Sequence, residues 1–189
     1  MLKSLFLISL TLVIAIGGGA GSVWWMMEEF EDFGALTIGQ WTVNPTEGTP
    51  DADPYAKARF AREGKLALGS SEGVQFVATR DSTGALLRGG CDYVVSGGVP
   101  VSRFWTLHVV GAEQGVPGSN AINSQALLRD ASGAFSVTLS RHPASGNWLR
   151  VDTEGVYRLV LGVYDTPTIG SADLADVTLP RIVRERCDG

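Results

Sequence analysis

Histidine and cysteine are scarce, with two of each in 189 residues. His108 and His142 have no cysteine or histidine partner at metal-ligand spacing, which argues against a zinc site. Positive charge is also short: 15 Lys and Arg stand against 20 Asp and Glu, a formal net charge of -5. That balance lacks the basic stripe that nucleic-acid binding requires. No Walker A run, H-E-x-x-H pair or EF-hand loop occurs. Gly69-Ser70-Ser71-Glu72-Gly73 matches G-x-S-x-G around Ser71. A nucleophile elbow needs a strand before it and a helix after it, and here Val74 to Arg80 reads as a strand, so the string is a Ser/Gly turn. Carboxylates are numerous, but the sequence brings no two of them across a cleft. No catalytic set, metal set or cofactor is therefore assigned.

Long apolar runs are also few, and one is conspicuous. Residues 4–27 carry no charge, and a bilayer core needs about 20 such residues. Lys3 lies before the run, and Glu28, Glu29, Glu31 and Asp32 lie after it. The positive-inside bias then places the N-terminus in the cytoplasm and the rest of the chain outside. Trp24 and Trp25 fall where an interfacial aromatic belt would lie. A cleaved secretory signal is the competing reading, with Leu5 to Ile16 as its apolar region and small residues at Gly18 and Ala20. Apolar character resumes after the glycines, which favours an uncleaved anchor. Both readings export the remainder. A buried core helix fits poorly, because the run has no polar face. Gly17 and Gly21 have G-x-x-x-G spacing, but within a run of four glycines a flexible helix end is the expectation. The expected division is a transmembrane anchor over 1–27 and an extracytoplasmic domain over 28–189.

The remainder is rich in apolar residues and glycine. Apolar residues reach 44% of the chain and glycines number 24 without a G-X-Y period, which suits a packed fold with many tight turns. Asp53 is a candidate N-cap, Pro54 fits the first helical position and Gly64 suits the stop, so one short helix is expected there. Elsewhere the period is two. Strands are expected over Ala35–Val43, Gly73–Arg80, Cys91–Ser96, Arg103–Val110, Ala134–Ser140, Val156–Tyr164 and Val177–Arg186, the last at an edge because of Pro180. Asp81-Ser82-Thr83-Gly84, Asp130-Ala131-Ser132-Gly133 and Asp152-Thr153-Glu154-Gly155 are turn signals. The fold class is mostly β: a jelly-roll-like antiparallel β-sandwich with one short helix, preceded by one transmembrane helix.

Export bears on Cys91 and Cys187. In an oxidising compartment the pair reads as a disulfide, and in a cytosol as two thiols. Aromatic and amide residues are clustered as well. Phe104 and Trp105 share one strand, Asn147 and Trp148 open another segment, and Tyr164 and Asp165 close a third. These six are the candidate ligand-binding residues, set against a plainer role in core and rim packing. His108 shares a face with Phe104 and Thr106 and reads as structural.

These residues also carry a likeness. Leu87-Arg88-Gly89-Gly90-Cys91-Asp92-Tyr93, Phe104-Trp105-Thr106-Leu107, Asn120, Leu127-Leu128-Arg129-Asp130, Gly133, Asn147-Trp148-Leu149 and Leu161-Gly162-Val163-Tyr164-Asp165-Thr166-Pro167 follow one another in an order and spacing that resembles domain-of-unknown-function family 1214. Ile38-Gly39-Gln40-Trp41 and Asp51-Ala52-Asp53-Pro54-Tyr55 resemble its short, membrane-anchored bacterial branch. Arg150 stands where the family has proline, and Gly162 where arginine is frequent. The resemblance implies a jelly-roll-like sandwich, often fused behind a second domain that 189 residues are not expected to hold. It implies a bacterial inner-membrane protein, single-pass, with its domain in the periplasm.

The expected function is a non-catalytic envelope module that binds a small ligand or a neighbouring protein. The alternatives are a hydrolase using carboxylates at one end of the sandwich and a structural subunit of a membrane complex. The expected partners are the membrane, through the N-terminal helix, and an envelope protein or small ligand, with no nucleic acid.

Overall fold

The computed structural model describes residues 2–29, 34–63, 68–69, 72–111, 121–167 and 177–187. Helix α1 (Leu2–Glu29) runs unbroken through the four glycines. A flexible helix end had been expected there. Each glycine disfavours a helix by about 1 kcal/mol relative to alanine, but the helical run on both sides carries through. Its stretch Leu2–Met26 is long and apolar enough to cross a membrane, with a mean hydropathy of 2.0 and none of it buried against the rest of the chain.

Helix α2 (Pro54–Glu63) begins as its cap predicts. Asp53 Oδ2 accepts the Ala56 N–H at 2.9 Å, and the Lys57 N–H donates to the Asp53 carbonyl at 3.0 Å. Gly64 lies outside the described residues.

The strands are β1 (Leu36–Ile38), β2 (Trp41–Val43), β3 (Gly73–Ala78), β4 (Cys91–Gly97), β5 (Phe104–Gly111), β6 (Ala121–Asn123), β7 (Phe135–Ser140), β8 (Asn147–Arg150), β9 (Tyr157–Tyr164) and β10 (Arg181–Cys187). They form a six-stranded sheet in the order β1-β2-β3-β9-β5-β6 and a four-stranded sheet in the order β10-β4-β7-β8. The expected single strand over Ala35–Val43 is a hairpin: Ile38 pairs with Trp41, and Gly39 turns the chain at a φ of 62°. A wholly antiparallel fold needs the same kind of correction, because β8 runs parallel to β7. The segment 177–180 precedes β10 rather than opening it, since proline cannot donate to a ladder.

Alternation buries one face of each sheet against the other. Trp41, Phe76, Trp105, Leu107, Tyr157, Leu159 and Leu161 of the larger sheet meet Tyr93, Val95, Phe135, Val137, Leu139, Leu149 and Ile182 of the smaller in one core. Trp105 packs on Phe135 with ring centroids 5.0 Å apart, and Tyr93 meets Tyr157 edge to face at 6.2 Å.

Strand β10 is an edge, and it is attached at several points. Cys187 stands directly opposite Cys91 on β4, and the two form a disulfide across a sequence separation of 96. The Trp41 indole donates to the Pro180 carbonyl at 2.7 Å, tying β2 to the segment that leads into β10. Closing a loop of that length is worth up to about 4–5 kcal/mol in the chain-entropy model. Reduction of the purified protein should therefore lower its urea midpoint, with two alkylatable thiols appearing only after reductant. Equal midpoints with and without reductant would show that the bridge does not stabilise the fold.

Candidate binding groove

At the end of the sandwich where β4 gives way to β5, the two sheets leave a groove. Gly97 ends β4 at a φ of 127°, a conformation that favours glycine, and lets the chain turn into 98–103. Facing that loop are Ser124 and Gln125 after β6, and the hairpin from Arg129 to Phe135. Two depressions, of about 440 and 540 Å³, adjoin at Gly97, Arg129 and Phe135: the first lobe lies at the end of the sandwich, and the second opens on the outer face of the smaller sheet, to which Ser96, Ser136 and Thr138 point. Each lies in the size range of small-ligand sites. Trp105 lines the first lobe, and Phe135, on which it packs, lines both. Arg103 and Arg129 stand exposed at the rim. Outside α1, the exposed large apolar side chains among the described residues are Leu36, Tyr55, Val101, Leu128 and Val183. Two of these five, Val101 at 79% and Leu128 at 68% exposure, belong to the groove.

The six candidate residues fall in different places. Trp105 and Asn147 line the groove. The Asn147 side chain is already committed: its Oδ1 accepts the Leu128 N–H at 2.7 Å, and its amide donates to the carbonyls of Leu128 at 2.8 Å and Ser136 at 2.9 Å. It clamps the exposed Leu128 segment to β8. Asp165, at a φ of 50°, lies 3.5 Å from Arg103 in an exposed ion pair. Phe104 and Tyr164 pack on each other at 5.8 Å on the outer face of the larger sheet, because neighbours on a strand point to opposite sides. A side chain at Gly162 would place its Cβ 2.9 Å from the Tyr164 hydroxyl, so the tyrosine occupies the space above that glycine. Trp148 is half-buried and donates to the Ser140 hydroxyl at 3.0 Å. His108 shares the outer face, where burial lowers its pKa. Among the described residues no three His, Cys, Asp or Glu gather as a metal set.

Two of the turns expected from the sequence form as expected, and they are alike in more than their turn signal. Arg80-Asp81-Ser82-Thr83-Gly84-Ala85 and Arg129-Asp130-Ala131-Ser132-Gly133-Ala134 fold into the same turn. In each, Oδ1 of the aspartate accepts the N–H and hydroxyl of the Thr or Ser two residues on, and the alanine N–H four residues on. In each, the leading arginine donates to the glycine carbonyl, at 2.9 and 3.1 Å. The repeated string Arg-Asp-x-Ser/Thr-Gly-Ala was the available signal. The first turn is closed over: Asp81 Oδ2 accepts two N–H groups of Arg184 on β10, at 2.8 and 2.5 Å, and the Ser82 N–H donates to the Ile182 carbonyl at 2.8 Å. The second turn forms the wall of the larger lobe.

Asp81 is the buried carboxylate among the described residues. Burial raises its pKa, but the hydrogen bonds from Thr83, Arg184 and Ala85 together outweigh that and hold it below the ordinary value. The two-carboxylate cleft that a hydrolase reading requires is not formed among the described residues.

A two-sheet β-sandwich with a loop-end groove, behind a helix of membrane-spanning length, is the class of protein described above. The chain belongs to the family described as protein of unknown function (DUF1214), whose model matches residues 72–168. The fold is similar to the crystal structure of the VPA0106 protein from Vibrio parahaemolyticus, at 20% identity and a TM-score of 0.57. That match covers 92% of this chain and 44% of the Vibrio chain, so this chain spans less than half of that relative's length. An uncharacterized protein from Burkholderia cenocepacia is similar at 16% identity and a TM-score of 0.43, over 90% of this chain and 41% of its own. No curated protein matches the chain.

The Asp81 pair yields a pH dependence. Its folded-state pKa lies below the unfolded value of about 4. The stabilisation is therefore whole above that value and is lost as the pH falls through the folded-state pKa. Arg184 is partly exposed, so Asp81→Asn should destabilise by about 2–3 kcal/mol at neutral pH, below the loss for a fully buried pair. Urea unfolding at neutral pH and at about pH 3 checks this: the gap between variant and wild type should narrow in acid. A gap unchanged by pH would assign the loss to packing.

Proposed function

We propose that this chain is a binding module held on the outer face of the bacterial inner membrane, which takes a ligand or a neighbouring envelope protein in the groove over Trp105 and Phe135. One observation carries the reading. Val101 and Leu128 are exposed at two adjoining lobes that share Phe135, which packs on Trp105, and Arg129, with Arg103 at the edge of the first. An apolar surface with a few polar groups at its edge is the common make-up of a recognition site. Asn147 supports it, because it fixes the backbone of Leu128 and so lowers the ordering cost of binding.

The placement rests on α1 and on the bridge. Lys3 before the apolar helix and the acidic residues after it favour a cytoplasmic N-terminus, a single pass and a periplasmic domain over 28–189. The Cys91–Cys187 disulfide suits that compartment. Cleavage of the N-terminal segment would leave the same module free in the periplasm.

A photoreactive side chain placed at Val101 or Leu128 of the whole protein in its membrane tests the groove. Both positions should yield the same adduct, identified by mass spectrometry, while Tyr55 and Val183, exposed elsewhere, should not. Adducts that appear equally at all four positions, or at none, would overturn the reading.

A further inference from the structure

The two Arg-Asp turns differ in what covers them, and this difference defines a recognition chemistry. In the first turn, Oδ1 of Asp81 is used within the turn, and the outward Oδ2 receives the Arg184 guanidinium. The adjoining Ser82 N–H donates to a backbone carbonyl, that of Ile182, two residues before the arginine on the same strand. A strand thus docks by a carbonyl and then an arginine, onto an N–H and then a carboxylate oxygen. The Asp81 side chain is fully buried as a result.

In the second turn Oδ1 of Asp130 is used in the same way. Its Oδ2 and the Ala131 N–H have no protein partner among the described residues. Both are exposed. Asp130 lines the larger lobe, with exposed Leu128 and the clamp Asn147, and Ala131 follows it in the turn. The acceptor and donor that hold β10 on one turn are therefore presented, unfilled, on the other.

We propose that the Asp130 turn docks an extended segment of a partner protein that carries an arginine two residues after the carbonyl to which the Ala131 N–H donates. The inference rests on the groove reading and names the chemistry of its occupant. Two charge-assisted hydrogen bonds to one carboxylate oxygen, as in the Arg184 contact, select a guanidinium over a neutral side chain.

The probe is a synthetic peptide with the sequence of residues 180–186, Pro-Arg-Ile-Val-Arg-Glu-Arg, and a twin with citrulline at the position of Arg184. Both are titrated against the whole protein with its disulfide intact, so that β10 stays in place. Asp130→Asn keeps an oxygen for the turn's own hydrogen bonds and puts an amide where Oδ2 was. The wild type should bind the arginine peptide at least about fivefold more tightly than the citrulline peptide, as expected for a charge pair that becomes covered on binding. Asp130→Asn should lose that preference and bind both peptides alike, so that the two changes are coupled rather than additive. The citrulline peptide probes the same contact without touching the fold. Equal binding of the two peptides by the wild type, a preference that survives Asp130→Asn, or no binding at millimolar peptide would overturn the proposal. Any of these results together with a shared adduct at Val101 and Leu128 would leave the groove reading standing and remove only the arginine.

Discussion

A carboxylate withdrawn from water needs its lone pairs filled, and Asp81 meets that need by taking the last strand of the fold as its partner. One oxygen is satisfied inside its own turn and the other by Arg184 of β10. Strand β10 has a neighbour on one side alone, β4, and its register shifts between Arg184 and Arg186. A short edge with an irregular ladder holds weakly through hydrogen bonding alone. The ion pair, the Ser82–Ile182 hydrogen bond, the Trp41–Pro180 hydrogen bond and the disulfide add four attachments from three different parts of the chain. Two mechanisms are at work. The disulfide restricts the unfolded chain. The ion pair acts in the folded state, where removal of either partner strands a charge. Ile182 is fully buried under this arrangement and completes the core over Val95.

The strands that were legible in the sequence are those long enough to show a period of two. Val74, Phe76 and Ala78 alternate with Gln75 and Val77, and Phe76 and Ala78 are buried in β3. Strand β6, with three residues, is too short to carry such a pattern. The parallel course of β8 was not legible either, because pairing direction depends on how 141–146 returns the chain and not on the composition of Asn147–Arg150. The groove was legible as chemistry more than as geometry. Phe104 and Trp105 are adjacent in sequence and equally aromatic, yet alternation sends one to the outer face and the other to the groove floor. Asn147 was legible as a polar group of interest; that its donors and acceptor go to Leu128 and Ser136 depends on contacts 11 and 19 residues away.

Several residues within the span that matches the family shape the backbone or close the core. Gly89 donates to the Gly155 carbonyl, and a Cβ on it would lie 1.6 Å from the Thr153 carbonyl oxygen, so a side chain there requires the backbone to move. Leu87 is fully buried and Cys91 holds the bridge. At Gly162 the Tyr164 hydroxyl and the Thr106 hydroxyl converge to about 3 Å of where a Cβ would stand. A side chain at this position would displace the Tyr164 and Thr106 hydroxyls. The outer face is therefore built around an aromatic pair, Phe104 and Tyr164, while Trp105, on the other side of β5, lines the groove.

The two Arg-Asp turns separate local from long-range causes. They share their internal hydrogen bonds, yet the aspartate of one is buried against β10 and that of the other is exposed. Arg184 is therefore not what shapes the first turn, since the second has the same shape without an equivalent partner among the described residues. Six residues of sequence suffice for the turn: the aspartate caps the chain that follows it, and glycine supplies a φ of 84° or 83°. Such a turn holds its outward oxygen in position before anything binds. At Asp81 that oxygen became a strand attachment once a partner lay within reach on the same chain. At Asp130 the oxygen is held just as firmly, and what it accepts is decided by the segment that enters the groove.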